Sequence, residues 1–188
     1  RQQMNVKEWS REEALRNIRK PAKEAFPDIF GDHWRQAVDI YYEYIRSQHL
    51  QKLEPIAGAY ELLNGLFDNS VKMGVVSNKK HDLLIKEVDS LKWSIFFKSL
   101  VGAGVTEKGK PDTAPINTAI GEIIKDKNLS DIVIWYVGDT VEDMECAINA
   151  KIEPVFVETG FASKDELDTC QVYYTFQSLN ELNSFLNK

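Results

Sequence analysis

After Pro55 the chain alternates between short, continuously apolar runs and stretches with helical periodicity, and this alternation constrains the fold more than any other feature. The apolar runs lie at 71–76, 99–102, 132–137, 154–157 and 172–175. Between them, Leu84, Val88 and Leu91, then Ile116, Ile120, Ile123 and Ile124, then Val141, Met144 and Ile148 recur at helical spacing. Leu62, Leu63, Leu66 and Phe67 mark a helix ahead of the first run. Ser178 and Glu181 stand in capping-box spacing before a last helix with Leu182, Phe185 and Leu186. Strands that are apolar on both sides need cover on both faces, and parallel neighbours need helical crossovers. The pattern therefore predicts a doubly wound α/β fold with a parallel sheet.

Before Pro55 nothing reads as a strand. Ser10 and Glu13 make a capping box that opens a helix through Leu15 and Ile18, which Pro21 should end or bend. Asp32 is placed to cap a second helix, where Trp34, Val38, Tyr41 and Ile45 form one apolar stripe. Such a stripe reads as packing surface. The chain thus divides into an all-helical segment, 1–54, and an α/β core, 55–188.

The 188 residues suit one domain with a modest insertion, with roughly 70% of the unfolded surface buried on folding. With 23 basic and 29 acidic residues the formal charge is −6, which argues against a general nucleic-acid binder or an anionic-membrane protein. No apolar run approaches the ~20 residues of a membrane span. Cys146 and Cys170 stand in unrelated contexts, so a reduced, cytoplasmic setting is expected.

In open α/β sheets, ligands bind beyond the carboxyl ends of the strands. The first run ends in Ser77-Asn78 and the third in Gly138-Asp139, with Asp143 four residues further on. Between them Lys110 precedes a helix. A hydroxyl, a cation and a carboxylate pair thus converge from three loops, a set that suits a phosphate ester held with a divalent cation. Each element also has an ordinary reading. Ser77-Asn78 is common turn chemistry, Lys110 suits a solvated surface, Asp139 suits a helix N-cap and Asp143 a first helical turn.

Two other patterns fail on inspection. Gly104 to Lys110 satisfies G-x-x-x-x-G-K, yet Pro111 stands where a nucleotide-binding loop needs a hydroxyl. Gly102-Ala103-Gly104 begins a dinucleotide fingerprint, but Glu107 occupies the third glycine position. His33, His49 and His81 have no metal-ligand spacing, and no nucleophilic Cys or Ser elbow is present.

The segments V-V-S-N-K at 75–79, G-K-P-D at 109–112 and Y-V-G-D-T-V-E-D-M-E-C-A-I-N-A at 136–150 resemble motifs two, three and four of the haloacid dehalogenase superfamily. The likeness is closest to its phosphoglycolate-phosphatase-like branch and runs from about Leu53 to the end. The resemblance implies that residues 1–54 form the cap that this branch inserts after its first strand. It further implies that Ser77 binds the transferring phosphoryl group with Asn78 beside it, and that Lys110 stabilises charge there. Asp139 becomes the Mg²⁺ ligand, with Asp143 its partner directly or through water. In the family an Asp attacks phosphorus, and a second Asp two residues later acts as acid and then base.

That first motif, D-x-D-G-T after an apolar strand, does not occur in this chain. Asp28, Asp32 and Asp39 follow no apolar strand. The missing strand is central in the family, between the strands that end at Ser77 and Asp139, so these two are expected to expose edges or to pair with each other. The chain also starts at Arg1 without Met. Three explanations stand open: a longer phosphatase whose first residues, on the order of 15–25, are not in this chain; a natural truncation; or another doubly wound protein. The first implies a Mg²⁺-dependent phosphatase for a small phosphorylated metabolite, with this chain alone inactive. The second implies a non-catalytic module that binds phosphate or metal. The ester, phosphomutase activity on the same core, and the oligomeric state are open at this level. Arg11, Arg16, Arg35 and Arg46 read as solvated, with an anionic substrate the alternative.

Overall fold

The structure, a computed structural model, describes residues 8–10, 13–14, 17, 21–124, 132–162, 167–168 and 170–187. At the start, Ser10 and Glu13 make the reciprocal capping bonds that their spacing predicts: the Glu13 N–H donates to Ser10 Oγ and the Ser10 N–H to Glu13 Oε2. Leu15, Ile18, Arg11 and Arg16 lie outside the described residues.

Pro21 begins a helix that the sequence reading did not include, α1 (Ala22–Phe30). Proline is disfavoured inside helices but well placed at their start, because the first N–H groups lack partners anyway. A 3₁₀ turn over Gly31–His33 leads into α2 (Trp34–Gln48), so Asp32 sits in that turn and makes no side-chain cap. The stripe on α2 packs as expected. Val38 and Tyr42 join Ala22, Ala25 and Phe26 of α1 in one apolar cluster, and Trp34, Tyr41 and Ile45 lie against it.

The remaining elements alternate as the pattern predicts. They are α3 (Ala59–Asp68), β1 (Met73–Lys80), α4 (His81–Ser90), β2 (Phe97–Ala103), α5 (Ala114–Ile123), β3 (Trp135–Gly138), α6 (Val141–Asn149), β4 (Glu153–Val157), β5 (Tyr174–Phe176) and α7 (Leu179–Leu186). All strand pairs are parallel: β1 with β2, β3 with β4, and β4 with β5. Helices α4 and α5 pack on β1 and β2, α6 on β3 and β4, and α3 on α7. Leu62 of α3 and Leu182 of α7 meet Val155, Val157 and Phe176 of the sheet.

Strand boundaries move, most at the first and third strands, and the last is Tyr174–Phe176 where 172–175 is expected. The first strand runs on through Ser77 and Asn78 to Lys80, because Lys80 still pairs with Ala103. The third begins at Trp135, since its partner β4 begins only at Glu153, and Val133 is left 72% exposed.

The strands form two sheets, β1-β2 and β3-β4-β5, with no pairing between β1 and β3. Of the two outcomes foreseen for a missing neighbour, the edges stay open. Between them is an apolar cleft of about 870 Å³, lined by Val75 and Val76 on one side and Ile134 and Tyr136 on the other, with Ile120 and Leu182 also on its walls.

The helical segment is fastened to the core through α4. Leu83, 1% exposed, belongs to the α1–α2 cluster. Beside it His49 Nδ1 lies 2.9 Å from Glu87 Oε1, and Lys79 pairs with the other oxygen of Glu87. Leu83→Ala should cost about 2–5 kcal/mol of unfolding free energy through the cavity it leaves. In contrast, Tyr44→Ala at a 59% exposed position should stay within about 0.5 kcal/mol. Chemical denaturation followed by Trp fluorescence measures both.

Candidate active site

The turn after β3 builds the centre of the site. Thr140, and not Asp139, caps α6: its hydroxyl accepts the Asp143 N–H, and Asp143 answers by accepting the Thr140 N–H. Asp143 is 4% exposed and needs partners for both oxygens. Oδ2 takes the N–H groups of Asp139 and Thr140 and the Thr140 hydroxyl. Oδ1 takes the Lys110 ammonium at 2.6 Å and the Tyr136 phenol at 3.2 Å. Glycine is required at 138 by this approach, since a Cβ there would lie 2.4 Å from the Asp143 Cβ.

Lys110 reaches this carboxylate from the loop that follows β2, with only 12% of its side chain exposed. Its main chain is held by Asn78, whose Oδ1 accepts the Lys110 N–H at 2.9 Å while Nδ2 donates to the Lys110 carbonyl at 3.2 Å. Next to it, Glu24 of α1 accepts the Gly109 N–H at 3.1 Å. Glu24, Lys108, Gly109, Pro111 and Asp112 line a cleft of about 510 Å³ at this mouth. The half-buried Ser77 lies one residue before Asn78, and its Oγ accepts the Lys79 N–H at 3.1 Å.

All five residues singled out from the sequence thus belong to one connected set: Ser77 adjoins Asn78, Asn78 holds Lys110, Lys110 pairs with Asp143, and Asp143 accepts from Asp139. Of the four arginines, Arg35 lies over the Trp34 ring at 4.5 Å and Arg46 lies 3.8 Å from Asp82. Three participants were not anticipated. Tyr136 looked merely apolar, yet its hydroxyl also approaches the Val76 carbonyl at 3.4 Å and so spans the cleft. Thr140 was legible as T-x-x-D capping spacing. Thr159, which donates to Asp139 Oδ2, lies just past the end of β4, where the strand-end rule also points.

The two carboxylates are tuned apart. Burial opposes the charge on Asp143, but the Lys110 ammonium and the surrounding donors outweigh it and hold its carboxyl below the usual value. Burial raises that of Asp139, with the Asp143 charge adding to it and the Thr159 hydroxyl opposing. Burial keeps Tyr136 well above the ordinary phenol value, so it stays a donor. Burial likewise pushes the Cys146 thiol up to about 11, leaving it unsuited to nucleophilic work.

For a divalent cation, the fit is with Asp139, since no side chain among the described residues donates to its Oδ1, and a carboxylate oxygen open on that side suits Mg²⁺; nearby, Glu142 keeps a buried Oε2 with no hydrogen-bond partner among the described residues. Asp143 has both oxygens committed to donors. Among the described residues no group of three or more His, Cys, Asp or Glu closes on a metal, so any further ligands come from elsewhere.

Asp143→Asn should destabilise the protein by about 3–5 kcal/mol, because Lys110 is left buried without its counter-charge. A carboxyl depressed by folding contributes stability above its unfolded value, near 4, and loses it as pH falls through the lower folded value. The gap between wild type and Asp143→Asn should therefore hold from neutral pH down to about 4 and narrow below, as read by urea denaturation at each pH.

The haloacid dehalogenase-like hydrolase family matches residues 1–157. A pyrophosphatase, PpaX, from Listeria innocua is 24% identical over 174 residues, covering 93% of this chain and 78% of that protein. The phosphoglycolate phosphatase of Caulobacter vibrioides is 27% identical over 127 residues, 68% of this chain and 50% of its own. A haloacid dehalogenase-like family hydrolase from Streptococcus pneumoniae shares the fold, with a TM-score of 0.82 at 18% identity over 98% of this chain and 85% of that one. With the family match spanning most of its length, the chain belongs to the haloacid dehalogenase-like hydrolases.

Proposed function

We propose that the chain supplies the phosphate site, the metal-binding aspartate and the cap of a Mg²⁺-dependent phosphatase acting on a small phosphate monoester through an aspartyl-phosphate. The observation that carries this reading is the joining of Ser77-Asn78, Lys110, Asp139 and Asp143 at the carboxyl ends of two strands whose facing edges are unpaired. Relatives named as a pyrophosphatase and a phosphoglycolate phosphatase support the reaction class.

In this reading Ser77 donates its hydroxyl to a phosphoryl oxygen. Lys110 offsets the charge that gathers on the group in flight, and Asp143 keeps that lysine aimed. Asp139 offers Oδ1 to Mg²⁺, which when bound neutralises phosphate charge. The segment that contains α1 and α2 acts as the cap, covering the mouth where Glu24 meets Gly109 and limiting water and leaving group there. The nucleophile and the acid/base belong to a strand that this chain does not contain. The apolar cleft between the facing edges of β1 and β3, unpaired among the described residues, supports a place for it there.

The absence of D-x-D-G-T gives a second reading specific support: a module that binds phosphate or metal without chemistry. Turnover separates the two. The 188-residue chain with Mg²⁺ should leave p-nitrophenyl phosphate intact, and the same chain with an apolar strand ending in D-x-D-G-T joined ahead of Arg1 should hydrolyse it. Lys110→Ala in that extended protein should lower kcat by about 10²–10³-fold. Hydrolysis by the unextended chain, abolished by Asp139→Ala, would overturn the assignment of the nucleophile, and an inert extended protein would favour the binding module.

A further inference from the structure

We propose that Asn78 is a positioning residue, which holds Lys110 through its main chain and leaves the phosphoryl group to Ser77. The proposal rests on Lys110 being the phosphate-facing cation of the reading above. Its basis is the way the carboxamide is used. Oδ1 accepts the Lys110 N–H at 2.9 Å and Nδ2 donates to the carbonyl of the same residue at 3.2 Å, so both halves of the amide are engaged on the main chain of one residue.

The placement in β1 agrees. Ser77 and Asn78 lie where the register of β1 with β2 shifts, between Val76 and Lys80, and in this irregular stretch the Asn78 amide meets the Lys110 loop while Ser77 Oγ accepts the Lys79 N–H. Gly109 is shaped to the same grip, since a Cβ there would lie 2.6 Å from Asn78 Oδ1.

A grip of this kind matters because of the lysine side chain. Its four-carbon stem is flexible, and ordering it costs conformational entropy. Residues 104–113 belong to no strand or helix, so no backbone ladder fixes where that stem starts. Asn78 from the core, with Glu24 on the neighbouring Gly109 N–H, performs that task. The ammonium then meets Asp143 at 2.6 Å with its origin already set.

Two measurements on the 188-residue chain test this. Hydrogen exchange of the Lys110 amide, followed by NMR, reads the grip itself. Asn78→Ala should remove its protection, whereas Asn78→Asp, which keeps the acceptor, should retain it. Titration with inorganic phosphate reads the consequence. Asn78→Ala should weaken phosphate binding by about tenfold, the equivalent of roughly one to two net hydrogen bonds. In a Lys110→Ala background the same substitution should change nothing, because Asn78 then has no cation to place. Unchanged Lys110 amide exchange in Asn78→Ala would overturn the proposal, as would an equal loss of phosphate affinity with and without the lysine side chain. If the unaltered protein binds no phosphate, the phosphatase reading fails instead, and the exchange result alone decides the grip.

Discussion

Asp143 is an anion placed where water cannot serve it, and much of the local architecture follows from that constraint. A buried carboxylate is tolerated only when its oxygens are filled by donors and a counter-charge is close. Here the donors come from three directions. The 138–140 turn supplies two N–H groups and a hydroxyl, β3 supplies the Tyr136 phenol, and the loop after β2 supplies Lys110. Each donor also fixes something else. Gly138 must lack a Cβ, Thr140 must cap α6, and Lys110 must lie across from the turn. Satisfying one charge therefore assembles the groups that a phosphate ester would meet.

The same network is the one polar strut described across the cleft. A parallel sheet ordinarily gives each interior strand a hydrogen-bonded neighbour on both sides, and a strand without one presents a row of unpaired donors and acceptors. Among the described residues β1 and β3 each lack a neighbour on their facing sides, and the Tyr136 hydroxyl reaches from one to the Val76 carbonyl of the other. The walls are apolar along their length, as they would be if designed to lie under cover. The polar site sits at the carboxyl ends of these two strands, so whatever fills the cleft ends among Ser77, Lys110 and Asp139.

The fold was largely legible because burial on both faces leaves an unmistakable mark: continuous apolar runs at 99–102 and 154–157 became the interiors of β2 and β4. What escaped was decided by pairing and by capping, which depend on partners far along the chain. Nothing local says that β1 continues past Ser77, since that follows from the pairing of Lys80 with Ala103. Pro21 is expected to end or bend the helix before it, and the same ring suits the start of a following one, so α1, which begins there, left no separate mark. The resemblance sets Asn78 beside the phosphoryl group, and what it does not show is that the amide also meets a residue 32 positions away.

Asp139 and Asp143 show how far one residue type can be divided by its surroundings. They stand four residues apart, and the backbone N–H of one donates to the carboxylate of the other. Asp143 has a cation within 2.6 Å and a donor at each remaining face, so its charge is stabilised and its oxygens are spent. For Asp139 burial, with the Asp143 charge adding to it, outweighs the Lys110 charge and the one hydroxyl on Oδ2, so its charge is disfavoured, and no side chain among the described residues donates to its other oxygen. A disfavoured negative charge with an open lone pair is what a hard cation relieves, while a satisfied one has nothing to gain from it. The division of labour proposed for them, one aspartate for the lysine and one for the metal, agrees with the hydrogen bonds among the described residues.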